Sequence, residues 1–292
     1  MTFARLLLFF LAALVSPLLH AASAEVQAVQ YPAWLERSGE KAPLSPGDSL
    51  RNGDTLLSGA DSRILLGMSD GAQIKLGSGS RFLIEKLSIQ TRAGSTTVDA
   101  GFKLAVGFFR YSSSVLGKLS GKRNIDLHVQ TATIGIRGTD YWAMTDTEHD
   151  AVCVFDGKVD VATQSQGLIS LDQPTAFWSN FFDKPAQPAG NATPAQLAKF
   201  IASVEPVPGN GVAIANGRWR VIAAEEEKQG EARELARRLR EAGYPAEVAR
   251  SLGKHEVRIN LFATRADAES TLKRLGSQAG LTGSNAKVAA AR

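Results

Sequence analysis

Between residues 26 and 182, short apolar or alternating segments follow one another at close intervals, separated by turns rich in glycine and aspartate. A period of two is the pattern of a half-buried strand, and glycine supplies the positive φ that tight turns need. No amphipathic helix is predicted before residue 190. The predicted strands include 50–57, 62–68, 72–76 and 81–87.

Asp156-Gly157 lies between two further apolar segments, 151–155 and 158–163. An Asp-Gly pair in this setting is a strong hairpin signal, so a turn is predicted there. Many short strands joined by regularly spaced turns are typical of an all-β sandwich or roll. We therefore expect residues 25–182 to form a mainly β domain, an antiparallel sandwich or roll.

After residue 218 the period of the pattern changes. Ala232, Leu235, Ala236 and Leu239 are spaced as on one face of a helix that Gly243 closes. The predicted order over 218–292 is strand, helix, strand, strand, helix, strand, which is the ferredoxin-like arrangement of a four-stranded antiparallel sheet with two helices on one face. The predicted elements are strands at 219–223, 245–250, 255–262 and 286–290 and helices at 228–242 and 266–275.

Residues 183–217 contain five prolines and several glycines, and we interpret them as a linker between the two domains. Thr193-Pro194 is a suitable helix start, so the linker is expected to contain a short helix ending near Val204.

The first 24 residues resemble a cleavable signal peptide, with Arg5, an apolar run at 6–15 and the small-residue sequence Ala22-Ser23-Ala24. We expect cleavage after Ala24 and export to the periplasm. An uncleaved membrane anchor is the alternative, but about 20 apolar residues are needed to span a bilayer and this run is shorter. No other segment is apolar enough, so no membrane span is expected after cleavage.

Composition and charge narrow the functional classes. Residues 216–292 contain 15 Lys/Arg and 10 Asp/Glu, whereas 25–182 contain 15 and 17. A basic C-terminal domain suits an anionic polymer, and export makes cell wall rather than nucleic acid the expected partner. The single cysteine, Cys153, lies in an apolar run and is expected to be buried rather than reactive.

No catalytic or metal-ligand constellation is recognisable, so we expect neither an enzyme nor a cofactor or metal site. The loop around His149 is acidic and is interpreted as solvated, with a cation site as the alternative. Arg137 is expected to anchor a turn, although it could read a ligand. Four aromatic residues are expected to seal the end of the β core, with stacking on sugar as the alternative: Phe177, Trp178, Phe181 and Phe182.

Residues 43–163 resemble the FecR domain. The resemblance rests on PGDSLRNGDTLLSGADSRILL, SDGAQIKLGSGSRFLI, HVQTATIGIRGTDYWA and VCVFDGKVDV. This family includes a membrane-bound regulator of a sigma factor, so the resemblance implies a role in contacting a periplasmic or outer-membrane protein. The present chain has no internal membrane span with which to transmit a signal alone.

Residues 218–290 resemble the SPOR domain, through WRVIAAEEEKQGEARELARRLREAGYPAEV and HEVRINLFATRADAESTLKRL. The family binds septal peptidoglycan whose glycan strands have lost their stem peptides. The chain departs from the family pattern at Ile222, His255, Glu256 and Asn260.

Alternation along two strands of this domain predicts which residues share a face. Val221 and Ala223 should meet the helices, while Arg220, Ile222 and Ala224 lie on the open face. On the other strand Val257, Ile259 and Leu261 should face inward. The glycan-binding residues are therefore predicted to be Arg220, Ile222, Glu256 and Arg258, with a partly solvated sheet surface as the alternative interpretation.

These observations predict a non-catalytic periplasmic protein that binds denuded glycan strands through its SPOR-like domain and a protein or wall partner through its FecR-like domain. The alternative is a periplasmic signalling component of a FecR-type sigma-factor pathway. An unrecognised wall enzyme is a third interpretation, and the lack of a nucleophile with a base argues against it.

Overall fold

The computed structural model describes residues 23–92, 94–113, 121–278, 280–283 and 285–291. Within these ranges the side chain of Arg137 is not described. Most of the predicted signal peptide lies outside the described residues. The described part of the chain is mainly β, with strands and helices together only towards the C-terminus, as expected from the sequence.

The strands of the N-terminal region are β1 (Ala24–Gln30), β2 (Ala33–Arg37), β3 (Glu40–Pro43), β4 (Thr55–Ser58), β5 (Arg63–Met68), β6 (Gln73–Leu76), β7 (Arg81–Arg92), β8 (Ser95–Ser112), β9 (Arg123–His128), β10 (Ala132–Thr145), β11 (His149–Thr163), β12 (Gly167–Leu171), β13 (Ala176–Phe181) and β14 (Gly190–Asn191). They are followed by α1 (Pro194–Val204), β15 (Val212–Ile214), β16 (Trp219–Glu226), α2 (Gln229–Glu241), β17 (Ala246–Ser251), β18 (Lys254–Phe262), α3 (Arg265–Gly276) and β19 (Lys287–Ala290).

The long strand β8 organises the N-terminal region. Residues 95–106 of this strand pair with β7 and in part with β9, and its last six residues pair with β10 and in part with β6. The two parts meet at Gly107, which has φ +108° and where a Cβ would lie 2.5 Å from the Cα of Ser80. Only glycine fits this position, which lets one strand serve two sets of neighbours.

One strand pair departs from the antiparallel expectation, because β8 and β9 run parallel. The reason lies in β10, which is antiparallel to the end of β8 and also antiparallel to β9. Two antiparallel pairings with the same strand leave β8 and β9 pointing in the same direction.

The hairpin predicted at Asp156-Gly157 is wrong. β11 continues through both residues, and the turn of the β10–β11 hairpin lies instead at 146–148, beside the pair Thr145 and Asp150. Gly157 has φ +87° and faces a register shift between Arg137 and Asp140. The glycine signal therefore marks a β-bulge in a continuous strand rather than a chain reversal.

Segment 183–217 contains the predicted short helix, α1, which Thr193 caps in a capping box with Gln196. This helix packs on the outer face of the N-terminal sheet. The Trp142 and Phe200 rings stack with centroids 4.0 Å apart, and Trp142 Nε1 donates to Ser203 Oγ at 2.9 Å. The segment predicted to be a linker thus carries tertiary contacts that its composition did not indicate.

The C-terminal region has the element order expected from the sequence, β16–α2–β17–β18–α3–β19. Its antiparallel pairs place the strands side by side in the order β17, β18, β16, β19. The apolar faces of both helices pack on one side of this sheet, on Val221, Val257 and Ile259. The opposite side of the sheet is the open face.

The N-terminal and C-terminal regions share one continuous core. β15 pairs with β1 through Ala28 and Ile214, and with β18 through Ala213 and Phe262. The fully buried Tyr31 ring contacts the Phe262 ring edge-on, with centroids 6.1 Å apart.

Candidate functional site

The register of the four C-terminal strands arranges the open face in rows. One row runs from Glu247 through Arg258 and Ile222 to Lys287, on β17, β18, β16 and β19 in turn. We call it the cation row. The row beside it, towards the β17–β18 hairpin, pairs Glu256 directly with Glu225, and we call it the carboxylate row. Arg220 lies on the other side of the cation row, opposite Ala289.

The predicted placement of Ala224 on the open face is wrong. The register of β16 on β18 shifts between Ile222 and Ala224, so Ala224 lies opposite Val257 and is fully buried in the core. The extra residue, Ala223, is also buried. The bulge reverses the alternation beyond it, which brings Glu225 onto the open face.

A second register shift affects the far end of β18, where Trp219 lies opposite Phe262 and Val221 lies opposite Ile259. Leu261 is in this irregular stretch and has φ +68°, which is unusual for a leucine. It is half-buried against the core, so the predicted inward orientation is only partly realised.

All four sequence-predicted site residues lie on the open face, but Ile222 does not form an exposed apolar patch. Its side chain is 4% exposed although it is outside the helix-facing core. Its cross-strand neighbours are Arg258 and Lys287, whose aliphatic stems can cover an apolar side chain while their charged ends remain accessible. The surface presented to a ligand is therefore polar.

The cations of this face are paired with neighbouring groups. Arg258 Nε lies 2.6 Å from Glu256 Oε2, and Lys287 forms an ion pair with Glu225. Arg220 Nη2 donates to the carbonyl oxygen of Ala290 at 3.0 Å. A ligand that uses these cations must compete with the partners they already have.

Glu256 is the most enclosed carboxylate of the face, at 8% exposure. Burial opposes its ionisation, but hydrogen bonds from Arg258 and Ser251, together with the charges of Arg258 and Arg220, outweigh it and lower the pKa of Glu256. Glu256 therefore stays ionised at neutral pH and holds Arg258 in place.

Sequence reasoning missed Glu225 and Lys287. Lys287 is on the last strand, whose four residues give too short a pattern to assign a face, and Glu225 reaches the face only through the bulge at Ala223. The charge pattern on a correctly registered sheet is the signal that would have found both.

The other candidate residues from the sequence make contacts within the fold. Trp178 is fully buried, Phe177 packs on Phe200, and Phe181 stacks on His149 with ring centroids 4.6 Å apart. Asp146 accepts backbone hydrogen bonds across its own loop. Within the described ranges, no group of three potential metal ligands occurs.

Cys153 is fully buried in a small second core beneath α1, and burial raises the pKa of its thiol to about 12. The thiolate is the reactive form of cysteine, so a thiol with such a pKa is unreactive at neutral pH. The side chain of Arg137 lies outside the described residues.

Two family models match the chain. The SPOR domain matches residues 215–285 and the FecR protein matches residues 54–160, which confirms the two resemblances found in the sequence. Both are binding or regulatory domains typical of cell-envelope proteins. No helix in the described part of the chain has the length and hydropathy to cross a membrane.

Two crystal structures of "a putative anti-sigma factor" from Parabacteroides distasonis ATCC 8503 are similar to this chain. The first, at 1.65 Å resolution, is 14% identical with a TM-score of 0.39, and the match covers 50% of this chain and 64% of that one. The second, at 2.50 Å resolution, is 12% identical with a TM-score of 0.39, and the match covers 82% and 98%. No curated protein matches the chain. A likeness at these scores says nothing about function.

Proposed function

We propose that this chain, with its FecR-domain and SPOR-domain matches, is a non-catalytic periplasmic protein that binds peptidoglycan glycan strands through the open face of β16–β19. Its FecR-like domain, over residues 25–182, provides a surface for a protein or wall partner. The observation that carries this proposal is the SPOR match over residues 215–285, because it includes Arg220, Ile222, Glu256 and Arg258.

The chemistry of the face suits a polymer of carboxylates and hydroxyls. Glycan strands without stem peptides expose the carboxylates of their muramic acids, and the forked guanidinium groups of Arg220 and Arg258 can bind a carboxylate through two parallel hydrogen bonds. Because Glu256 already engages Arg258, the affinity should be weak and should decrease with salt.

Co-sedimentation of the mature chain with amidase-treated and intact sacculi tests the proposal. Arg220→Ala and Arg258→Ala should each weaken binding to treated sacculi. A charge-assisted hydrogen bond contributes about 1.5–3 kcal/mol, so the expected loss is roughly tenfold to hundredfold. Arg233→Ala, an exposed position on α2, is the matched control and should bind like the wild type.

Glu256→Gln tests whether Glu256 competes with the glycan carboxylate for Arg258. It should strengthen binding because it releases Arg258 without adding a charge. If the two arginine variants and Glu256→Gln all bind like the wild type, the open face is not the glycan site.

A signalling role is the second candidate function, and the FecR match over 54–160 favours it. In that case the N-terminal region contacts a periplasmic or outer-membrane protein of a sigma-factor pathway. Transcription reporters for the sigma factors of the host strain test this role. Deleting the gene should change reporter output, and an unchanged output would leave only the wall-binding function.

A further inference from the structure

The open face contains a pair of like charges that its fold does not need. Glu225 and Glu256 are directly opposed across β16 and β18, and like charges in this position destabilise a sheet. Each is balanced by a cation of the neighbouring row, Glu256 by Arg258 and Glu225 by Lys287. Apart from Glu247 at the β17 end of the cation row, the face is therefore split into a positive row and a negative row in contact with each other.

This division decides which ligand can replace the partners in the internal ion pairs at the lowest cost in free energy. A ligand carboxylate that attracts Arg258 draws it away from Glu256, which is ionised and 8% exposed. An enclosed charge that loses its partner is costly, so a purely anionic ligand binds less tightly than one that also supplies a cation. A ligand that brings a cation together with its carboxylate replaces both partners at once.

The two rows are close enough for one ligand segment to reach both. Glu256 and Arg258 are two residues apart on β18, a separation of about 6.6 Å along the strand, and their charged ends already touch. A ligand cation that binds the carboxylate row must therefore lie next to the ligand carboxylate that binds Arg220, Arg258 or Lys287. One ligand molecule can carry both groups.

We infer that the open face selects glycan in which a free sugar ammonium group lies beside a muramic acid carboxylate, that is, partially N-deacetylated wall glycan. This inference rests on the proposed function and names the glycan chemistry that the site prefers. In acetylated glycan the nitrogen is a neutral amide, which supplies no charge to Glu256 or Glu225. Removing the acetyl group creates an ammonium group, which can pair with those carboxylates when the ligand draws Arg258 or Lys287 away.

The test uses denuded sacculi, partially N-deacetylated by an enzyme, and a portion of the same material re-acetylated with acetic anhydride. The mature chain should bind the deacetylated sacculi roughly threefold to tenfold more tightly than the re-acetylated ones, as expected for an accessible ion pair with partial burial. Glu256→Gln and Glu225→Gln should each reduce the ratio of binding to deacetylated over re-acetylated sacculi. Glu269→Gln, an exposed position on α3, should keep it.

Each contrary result has a distinct meaning. Equal binding of the wild type to both preparations overturns the inference and leaves the proposed function standing, whereas no binding to either contradicts the proposed function. A preference that persists in both glutamine variants shows that the ammonium is read elsewhere and also overturns the inference. Tighter binding to intact sacculi than to deacetylated denuded ones would assign the amine to the stem peptide and would overturn it as well.

Discussion

Gly243 offers a direct test of whether the N-terminal and C-terminal regions are packed together. It ends α2 with φ +86°, and a Cβ built there would lie 2.7 Å from two ring carbons of Trp34 and 2.9 Å from the Cβ of Pro32. Gly253, in the β17–β18 hairpin, has φ +82° with nothing within 4 Å of its virtual Cβ. The two glycines share a backbone conformation and differ in what surrounds them.

The difference sets the expected magnitudes. An alanine with left-handed φ costs about 1–2 kcal/mol, and this applies to Gly253→Ala and Gly243→Ala alike. Gly243→Ala must in addition displace Trp34, whose ring is held by a hydrogen bond from Nε1 to the carbonyl oxygen of Glu241 at 3.1 Å. Overpacking of this kind costs about 1–3 kcal/mol, so Gly243→Ala should be the more destabilising variant by that amount.

Urea unfolding of the chain from Glu25 to Arg292 measures both free energies of unfolding. In a Trp34→Ala background the extra cost of Gly243→Ala should shrink by about 1 kcal/mol or more, since the main obstacle is gone. Equal costs for the two glycine variants, or an unchanged cost in the Trp34→Ala background, would refute the packing of α2 against the N-terminal region.

Three further predictions concern the second core, α1 and the open face. Cys153 should not react with a thiol reagent in the folded chain at pH 8 and should react fully in denaturant, measured by absorbance of the released thiolate. Glu205 caps the end of α1 and pairs with Lys75 at 2.6 Å and with Arg110 at 3.0 Å, so Glu205→Gln should cost about 1 kcal/mol and speed proteolysis of the segment that follows α1. The pKa of Glu256 is lowered in the folded chain, so its ionised form adds stability above its unfolded pKa of about 4.3, and this is lost as the pH falls through the folded pKa. Glu256→Gln should therefore flatten the decrease of the urea midpoint below about pH 4.

The predictable parts of the fold are those in which local pattern and tertiary environment agree. The spacing of Ala232, Leu235, Ala236 and Leu239 predicted α2, and all four side chains are buried. Thr193 predicted the start of α1 because a helix cap depends only on residues a few positions away in the sequence. Such features depend on neighbours within a few residues and need no knowledge of the rest of the chain.

The errors arise where register decides the outcome. Nothing in the residue types of β16 distinguishes a regular strand from one bulged at Ala223, because two adjacent alanines fit either arrangement. Asp156-Gly157 likewise permits a turn or a bulge, and only the partner residues on β10 select the bulge. The face of each β16 residue was therefore predicted correctly up to Ile222 and incorrectly beyond it.

The segment 183–217 shows how composition can mislead about function. Prolines and glycines suggest a tether, yet all three residues of β15 pair with β1, and Ala213 also pairs with Phe262 of β18. Arg274 of α3 strengthens the same junction, donating from Nη1 to the carbonyl oxygen of Tyr31 at 2.7 Å and from Nη2 to that of Asn210 at 3.0 Å. A junction made of backbone pairing, a shared core and a charged donor resists bending, whereas a tether does not. The open face and any partner surface on the N-terminal region are then held at a fixed separation. Under the proposed function, wall binding would therefore position the partner rather than merely retain it nearby.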